Sequence, residues 1–109
     1  MERLKVTSAD QGDRVVISPC GEIDMATAGC LRTELVEAEV DLVRRGTAPV
    51  IEIDMSQVTF MDCSGLRVLV PFRWRLMDAG GSLCLTHVPP RVHRVLVPLG
   101  LDRLLEAPA

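Results

Sequence analysis

The sequence is poor in aromatic side chains and carries no excess of positive charge. Aromatic residues make up 3% of its 109 residues, tyrosine is absent, and 12 Lys and Arg stand against 15 Asp and Glu, a net charge of −3. Proteins that bind nucleic acids need a basic field to hold phosphates and, for single strands, aromatic side chains on which bases stack. The sequence therefore predicts no nucleic acid among the partners of this protein.

Long apolar runs and closely spaced cysteines are also missing. No apolar stretch reaches the roughly 18–20 residues of a membrane helix, and the polar start MERLKVTSADQGD lacks the apolar run of a signal peptide. The four cysteines contain no Cys-x-x-Cys pair, so neither a zinc site nor a redox motif is indicated. We expect a cytoplasmic protein with no membrane association, no metal and no cofactor. Four reduced thiols should act mostly as small apolar core residues, at Cys20, Cys30, Cys63 and Cys84.

Apolar residues are plentiful enough for one core. Hydrophobic residues make up 48% of the chain and charged residues 25%, which excludes a disordered charged tail. A chain of this length forms one core of ordinary size. We therefore predict a single domain over residues 1–109.

The apolar pattern alternates between the period of a strand and the period of a helix. Leu31 and Leu35, for example, lie on a stripe that repeats every three or four residues. Strands are predicted at residues 3–8, 14–20, 49–54 and 82–88, and helices near 25–45 and 65–79, with a short one from Pro90. This order predicts an α/β fold, in which helices pack on a mixed sheet that begins with an antiparallel hairpin.

Several positions carry more specific expectations. Pro19 cannot donate to a β-ladder, which predicts an edge, a bulge or a strand end there. Pro71 falls inside the second helix and predicts a bend. Residues 55–63 are predicted to be a connection, and the segment after Gly100 a last short strand or helical turn. The expected core includes seven aliphatic residues, namely Leu31, Leu35, Ile53, Leu66, Leu69, Leu83 and Leu85.

The junction between the third strand and the second helix contains Asp54, Asp62, Ser64 and Gly65. Ser64 is predicted to be the N-cap residue of this helix, because serine is favoured there. Helix N-termini also attract phosphate, so a modified serine would be stabilised at the same place. Gly65 is expected to leave the Ser64 hydroxyl open to a large partner. From the residues alone, both a structural and a functional role stay open for Ser64.

Three stretches resemble one known family. They are CGEIDMATAGCLRTEL at residues 20–35, VIEIDMSQVTFMDCSGLRVLV at 50–70 and GGSLCLTHVPPRVHRVLVPLGLDRLLE at 80–106. In order and spacing they resemble the STAS domain of bacterial anti-sigma factor antagonists, over nearly the whole chain. The resemblance extends the single-domain prediction to a STAS domain.

The resemblance implies a binding protein and not an enzyme. Such proteins, when unphosphorylated, bind an anti-sigma factor that is also a serine kinase, and so release a sigma factor. The kinase phosphorylates the serine directly before the motif glycine, which is Ser64 here, and a phosphatase removes the phosphate. The implied switch loop for partner binding consists of Asp24, Asp62, Cys63, Gly65 and Leu66.

Cys63 departs from the family pattern, which has serine or threonine at this position. It could be a small residue in the space of serine, or a thiol sensor near a helix N-terminus. A STAS scaffold or transport accessory without a phosphorylation switch is an alternative function. A hydrolase using Ser64 or Cys63 is a third, although Asp62 occupies the first glycine position of a Gly-x-Ser-x-Gly motif.

Overall fold

The computed structural model describes residues 3–107, so both ends of the predicted domain 1–109 lie outside the described residues. The strands are β1 (Leu4–Asp10), β2 (Val15–Ile23), β3 (Val50–Asp54), β4 (Val58–Met61) and β5 (Ser82–Thr86). The helices are α1 (Ala28–Arg44), α2 (Cys63–Asp78), α3 (Pro90–Leu96) and α4 (Asp102–Leu105), with a 3₁₀ turn at Val97–Leu99. The predicted mixed α/β fold with an N-terminal antiparallel hairpin is confirmed.

Strand β2 organises the sheet. It pairs with β1 in antiparallel register, while the sheet continues through β3 to β5 in parallel. Along the same side of β2, residues 15–17 pair with β3 and residues 21–23 pair with β4. Strands β3 and β4 therefore lie one after the other beside β2, and on that side the far end of β2 pairs with β4.

Two details of this region differ from expectation. Of the edge, bulge or strand end predicted at Pro19, the strand end is excluded, because β2 continues to Ile23; the register of β2 with β4 shifts nearby, between Gly21 and Glu22. Pro19 pairs with Val6 of β1 and lies where β2 changes from β3 to β4, so no partner strand requires its missing N–H on that side. The predicted connection 55–63 contains strand β4, whose four residues are too few to show an alternating pattern.

The core lies between one face of the sheet and the helices. All seven aliphatic residues predicted to be in the core are buried there. Burial of one such side chain contributes roughly 1.5–3 kcal/mol. Helix α2 runs without interruption through Pro71, which is exposed; the expected bend stays a prediction. The segment after Gly100 forms helical turn α4.

The expectation that the cysteines belong to the core is wrong. All four thiols are free, but Cys20, Cys30 and Cys63 are exposed and Cys84 is half-buried. Cys20 and Cys84 lie on strands, on the sheet face opposite the aliphatic core, and Cys30 and Cys63 lie on the outer sides of helices. Their small apolar character was therefore a poor guide to their burial.

Candidate functional site

Strands β2 and β4 are parallel and end side by side. Their last residues, Ile23 and Met61, are register partners, and the N–H of Asp62 donates to the carbonyl of Ile23 at 3.2 Å. The turn beginning at Asp24 and the turn beginning at Asp62 therefore start next to each other. The fold thus brings Asp24 next to the Ser64 segment, and the resemblance implies that both belong to the switch loop.

Asp62 caps helix α2. Its backbone is extended, and its Oδ1 accepts a hydrogen bond from the N–H of Ser64 at 2.8 Å. A side-chain oxygen that accepts from one of the first helical N–H groups is the geometry of an N-cap. The prediction that Ser64 is the cap is therefore wrong. Cys63 is the first helical residue and Ser64 is the second. The carboxylate of Asp62 already accepts a hydrogen bond from the Ser64 amide.

Because Asp62 caps α2, the hydroxyl of Ser64 is not used to cap the helix. None of the hydrogen bonds formed among residues 3–107 uses its Oγ. The residue is half-buried, which is less open than the exposed position we expected. Unpaired N–H groups and the positive end of the helix dipole lie at this helix start. Anionic groups are in general favoured at such a helix start.

Gly65 lies directly over the two strand ends. A Cβ atom built there would lie 2.8 Å from Sδ of Met61 and 3.1 Å from Cγ2 of Ile23. Contacts this short would force buried neighbours to move, because interiors are close-packed. The glycine therefore lets α2 pack closely on the two strand ends, while the expectation that it leaves the Ser64 hydroxyl open to a large partner stays a prediction.

Leu66 and Cys63 have opposite environments. Leu66 is 6% exposed and belongs to the core, so its side chain anchors α2 and does not contribute surface. Cys63 is exposed at the first position of the helix. Its exposure fits both a small residue in the space of serine and a thiol sensor, so both interpretations stay open. Among the predicted switch-loop residues, Cys63 presents an open side chain beside Ser64.

Asp24 organises the turn before α1. Its Oδ1 accepts from the N–H groups of Ala26 at 2.9 Å and Thr27 at 3.2 Å, and its Oδ2 forms an ion pair with Arg3. The Thr27 hydroxyl donates to the carbonyl of Glu22 at 2.7 Å. One carboxylate thus shapes the turn with one oxygen and binds a guanidinium with the other.

Sequence reasoning missed Arg3. Arg3 also forms an ion pair with Glu22 through Nε at 3.2 Å. It reaches these carboxylates because β1 pairs with β2 so that Leu4 is opposite Gly21. No local pattern signals a contact between residues about twenty positions apart. Only the register of the hairpin could have revealed it.

Asp54 belongs to a separate turn. Its Oδ1 accepts from the N–H of Ser56 at 3.0 Å, and His87 Nδ1 lies 3.5 Å from the same oxygen. Burial acts to raise the pKa of Asp54, but the hydrogen bonds from Ser56 and the nearby His87 outweigh it, and the pKa is lowered. These contacts shape the turn between β3 and β4, which favours a structural role.

In the part of the chain that the structure describes, one group of side chains could hold a cation. His93, Asp102 and Glu106 offer ligand atoms within 4.8 Å of one another, and His93 Nδ1 already lies 2.9 Å from Glu106 Oε2. The group lies on α3 and the C-terminal segment and includes no predicted site residue.

Within residues 3–107, every helix is too short or too polar to cross a lipid bilayer.

Comparison with known proteins gives a consistent family. The model described as "STAS domain" matches residues 5–108. The anti-sigma F factor antagonist of Paenibacillus polymyxa is 30% identical over 84% of this chain and 74% of its own length. The anti-sigma-B factor antagonist of Listeria monocytogenes is 33% identical over 86% of this chain and 78% of its own length.

Solved structures resemble the fold over nearly its full length. The crystal structure of an anti-sigma factor antagonist from Mycobacterium paratuberculosis has a TM-score of 0.78 at 27% identity, and covers 94% of this chain and 82% of that one. The Bacillus cell fate determinant SpoIIAA in its phosphorylated form has a TM-score of 0.69 at 21% identity, and covers 95% and 92%. At that lower identity the SpoIIAA likeness concerns the fold alone.

Proposed function

The chain belongs to the STAS-domain family of anti-sigma factor antagonists, and from this premise we propose that it is a binding protein controlled by phosphorylation of Ser64. In the unphosphorylated state it binds an anti-sigma factor that is also a serine kinase, and the sigma factor held by that partner is released. The kinase phosphorylates Ser64 and ends the interaction, and a phosphatase restores it. The protein acts in the cytoplasm, by binding and not by catalysis.

One observation carries this proposal, namely the free hydroxyl of Ser64. Because Asp62 caps α2, Ser64 serves neither as cap nor, within residues 3–107, as a hydrogen-bond partner through its Oγ. A serine that only closed a helix would use this oxygen. The hydroxyl is held at a fixed helical position where an approaching kinase could reach it with little rearrangement of the backbone.

The charges around Ser64 support the direction of the switch. Phosphoserine carries about −1.5 to −2 charge near pH 7. It would lie two residues from Asp62, whose carboxylate already accepts from the Ser64 amide at 2.8 Å. The helix start tolerates the added anion, so the fold persists. A partner surface that fits the unmodified site would then meet like charge and a strongly hydrated group.

The neighbouring loop completes the proposed contact surface. Asp24 lies beside the Ser64 segment and is oriented by Arg3, so its position is fixed before a partner arrives. Cys63 presents its thiol next to Ser64. Gly65 and Leu66 are both buried, and they support this surface by holding α2 against the strand ends.

The test is a titration of the partner against four forms of the protein. The anti-sigma factor would first be isolated by pull-down from the cytosol of the source organism and identified. Wild type, Ser64→Ala, Ser64→Asp and enzymatically phosphorylated protein are then compared by calorimetry. We expect Ser64→Ala to bind like wild type and to resist phosphorylation. Ser64→Asp should bind about 5- to 150-fold more weakly, a coupling of about 1–3 kcal/mol.

Stability and charge controls make the result specific. Because Ser64 is not the cap, Ser64→Ala should change the free energy of unfolding by less than about 0.5 kcal/mol. Ser82→Asp adds the same charge at the exposed start of β5, at the opposite end of the parallel strands, and should not affect binding. Equal binding by all forms would instead favour a STAS scaffold without a phosphorylation switch.

A further inference from the structure

The charges of helix α1 are divided between its two sides. Its acidic residues Glu34, Glu37 and Asp41 line a cavity that faces β1. Arg32 and Arg44 line cavities on the other side, which faces α2. The side toward α2 is thus almost free of acidic residues, although the chain as a whole has a net charge of −3.

Two adjoining cavities form what we call the α1–α2 groove. The nearer cavity, next to the start of α2, has a volume of about 180 Å³ and is lined by Arg32, Arg67, Val68, Pro71, Phe72 and Arg75. The farther cavity has a volume of about 360 Å³ and is lined by Glu39, Val40, Val43, Arg44 and Arg75. Arg75 lines both cavities, so the two adjoin at this side chain.

The positive charge of the groove is only partly neutralised. Glu39 is the acidic residue that lines it, and both of its oxygens are taken by Arg75, at 3.1 Å and 2.8 Å. Arg75 also lies over the ring of Phe72, 5.5 Å from its centroid. Among the described residues 3–107, Arg32, Arg44 and Arg67 take part in no ion pair. Three guanidinium groups are therefore available to a ligand.

We infer that the α1–α2 groove is the docking surface for an acidic, amphipathic segment of a protein partner. Guanidinium groups bind carboxylates in bidentate geometry and are enriched in protein interfaces. In the farther cavity, Val40 is 38% and Val43 53% exposed, and they offer contacts to apolar side chains. A nucleic acid would satisfy the arginines but would leave these valines without an apolar partner, so a peptide fits both parts.

This inference does not depend on phosphorylation of Ser64. The groove is defined by side chains of α1 and α2, and its charge is present in the unmodified protein. Arg67 follows Ser64 by three residues, and residues at this spacing lie on the same side of a helix. The groove therefore begins one helical turn from the candidate phosphoacceptor, and a partner could contact both without overlap.

The experiment uses a designed peptide as the probe. Helix α1 has 17 residues, so a helical peptide of about 18 residues matches its length of roughly 25 Å. The peptide carries leucine along one face and glutamate elsewhere. A control peptide carries lysine in place of each glutamate. Titration into the isotope-labelled chain, followed by NMR, should shift amide signals along the groove with the glutamate peptide and not with the lysine peptide.

Charge reversal at the groove is compared with charge reversal elsewhere. Arg32→Glu combined with Arg67→Glu should weaken binding of the glutamate peptide at least about tenfold. Arg94→Glu combined with Arg103→Glu makes the same charge change at exposed positions on α3 and α4, and should leave the affinity within about twofold of wild type. Replacement of Arg32 and Arg67 by glutamine gives a milder pair if the reversed pair does not fold.

Three results would overturn the inference. The first is that the two charge-reversed pairs weaken binding of the glutamate peptide equally, the second is that the amide shifts lie outside the groove, and the third is that the lysine peptide binds as well as the glutamate peptide. A short single-stranded oligonucleotide and vesicles of phosphatidylglycerol are titrated in parallel. If either shifts the groove signals while the glutamate peptide does not, the groove binds another class of anion and our assignment is wrong.

Discussion

Exchange of Gly21 for alanine should disrupt the end of the hairpin that holds the site. Gly21 has a φ of +122°, a region that side-chain-bearing residues rarely adopt, and an added Cβ would lie 2.1 Å from the carbonyl oxygen of Arg3. That atom belongs to the backbone and cannot rotate away. The same carbonyl accepts a hydrogen bond from the N–H of Glu22 at 2.9 Å.

The expected magnitude follows from these contacts. A residue forced into a sparsely populated φ region costs about 1–3 kcal/mol. Displacement of the Arg3 carbonyl also removes its hydrogen bond with Glu22, about 1 kcal/mol. We therefore expect Gly21→Ala to lower the free energy of unfolding by about 2–4 kcal/mol, a large part of the 5–15 kcal/mol typical of a small domain. The ion pair of Arg3 with Asp24 should weaken with it.

Gly29→Ala is the matched control. Gly29 lies in the first turn of α1, and nothing lies within 4 Å of a Cβ added there. Because alanine is the better helix former, this variant should be neutral or more stable by up to about 1 kcal/mol. Urea unfolding followed by far-UV circular dichroism measures both. If Gly21→Ala unfolds within about 0.5 kcal/mol of wild type, or Gly29→Ala loses as much as Gly21→Ala, the role assigned to Gly21 is refuted.

Three further predictions concern the core, the thiols and one turn. Leu35→Ala, at a residue with 0% exposure, should cost about 2–5 kcal/mol in urea unfolding, and an unchanged curve would contradict the helical stripe. A thiol reagent should modify three cysteines rapidly and Cys84 slowly, because burial and Glu52 raise the pKa of its thiol; four equal rates would argue against this. The pKa of Asp54 lies below its ordinary value of 3.8, so its ionised form stabilises the fold above that value and the contribution is lost as the pH falls through the lowered pKa. Asp54→Asn should therefore cost stability at about pH 7 and progressively less toward about pH 2, and a pH-independent cost would contradict it.

The alternation of apolar periods was enough to predict the class of fold and most of the core. Leu31 and Leu35 lie on the buried stripe of α1, and Ile53 points into the core from β3. Such patterns are local, since a helix or strand must bury one face whatever its neighbours are. The same locality explains the failure at β4, whose four residues carry too little pattern to be separated from a loop.

The candidate site was predictable in its residues but not in their roles. The sequence alone placed Asp62, Ser64 and Gly65 at the start of a helix. Only the structure showed that Asp62 is the cap, which leaves the Ser64 hydroxyl free, and that Gly65 lies closely against Met61 and Ile23. The choice between two capping residues depends on backbone angles and on which oxygen reaches which N–H, and a residue pattern does not encode either.

Contacts between distant segments were decided by tertiary structure alone. Arg3 reaches Asp24 because of the hairpin register, and the α1–α2 groove exists because the two helices pack side by side and both contribute basic and apolar residues to its lining. Composition and periodicity determined that these helices and strands form. Register and helix packing, which depend on the whole core at once, determined which charged side chains meet and which stay free to bind.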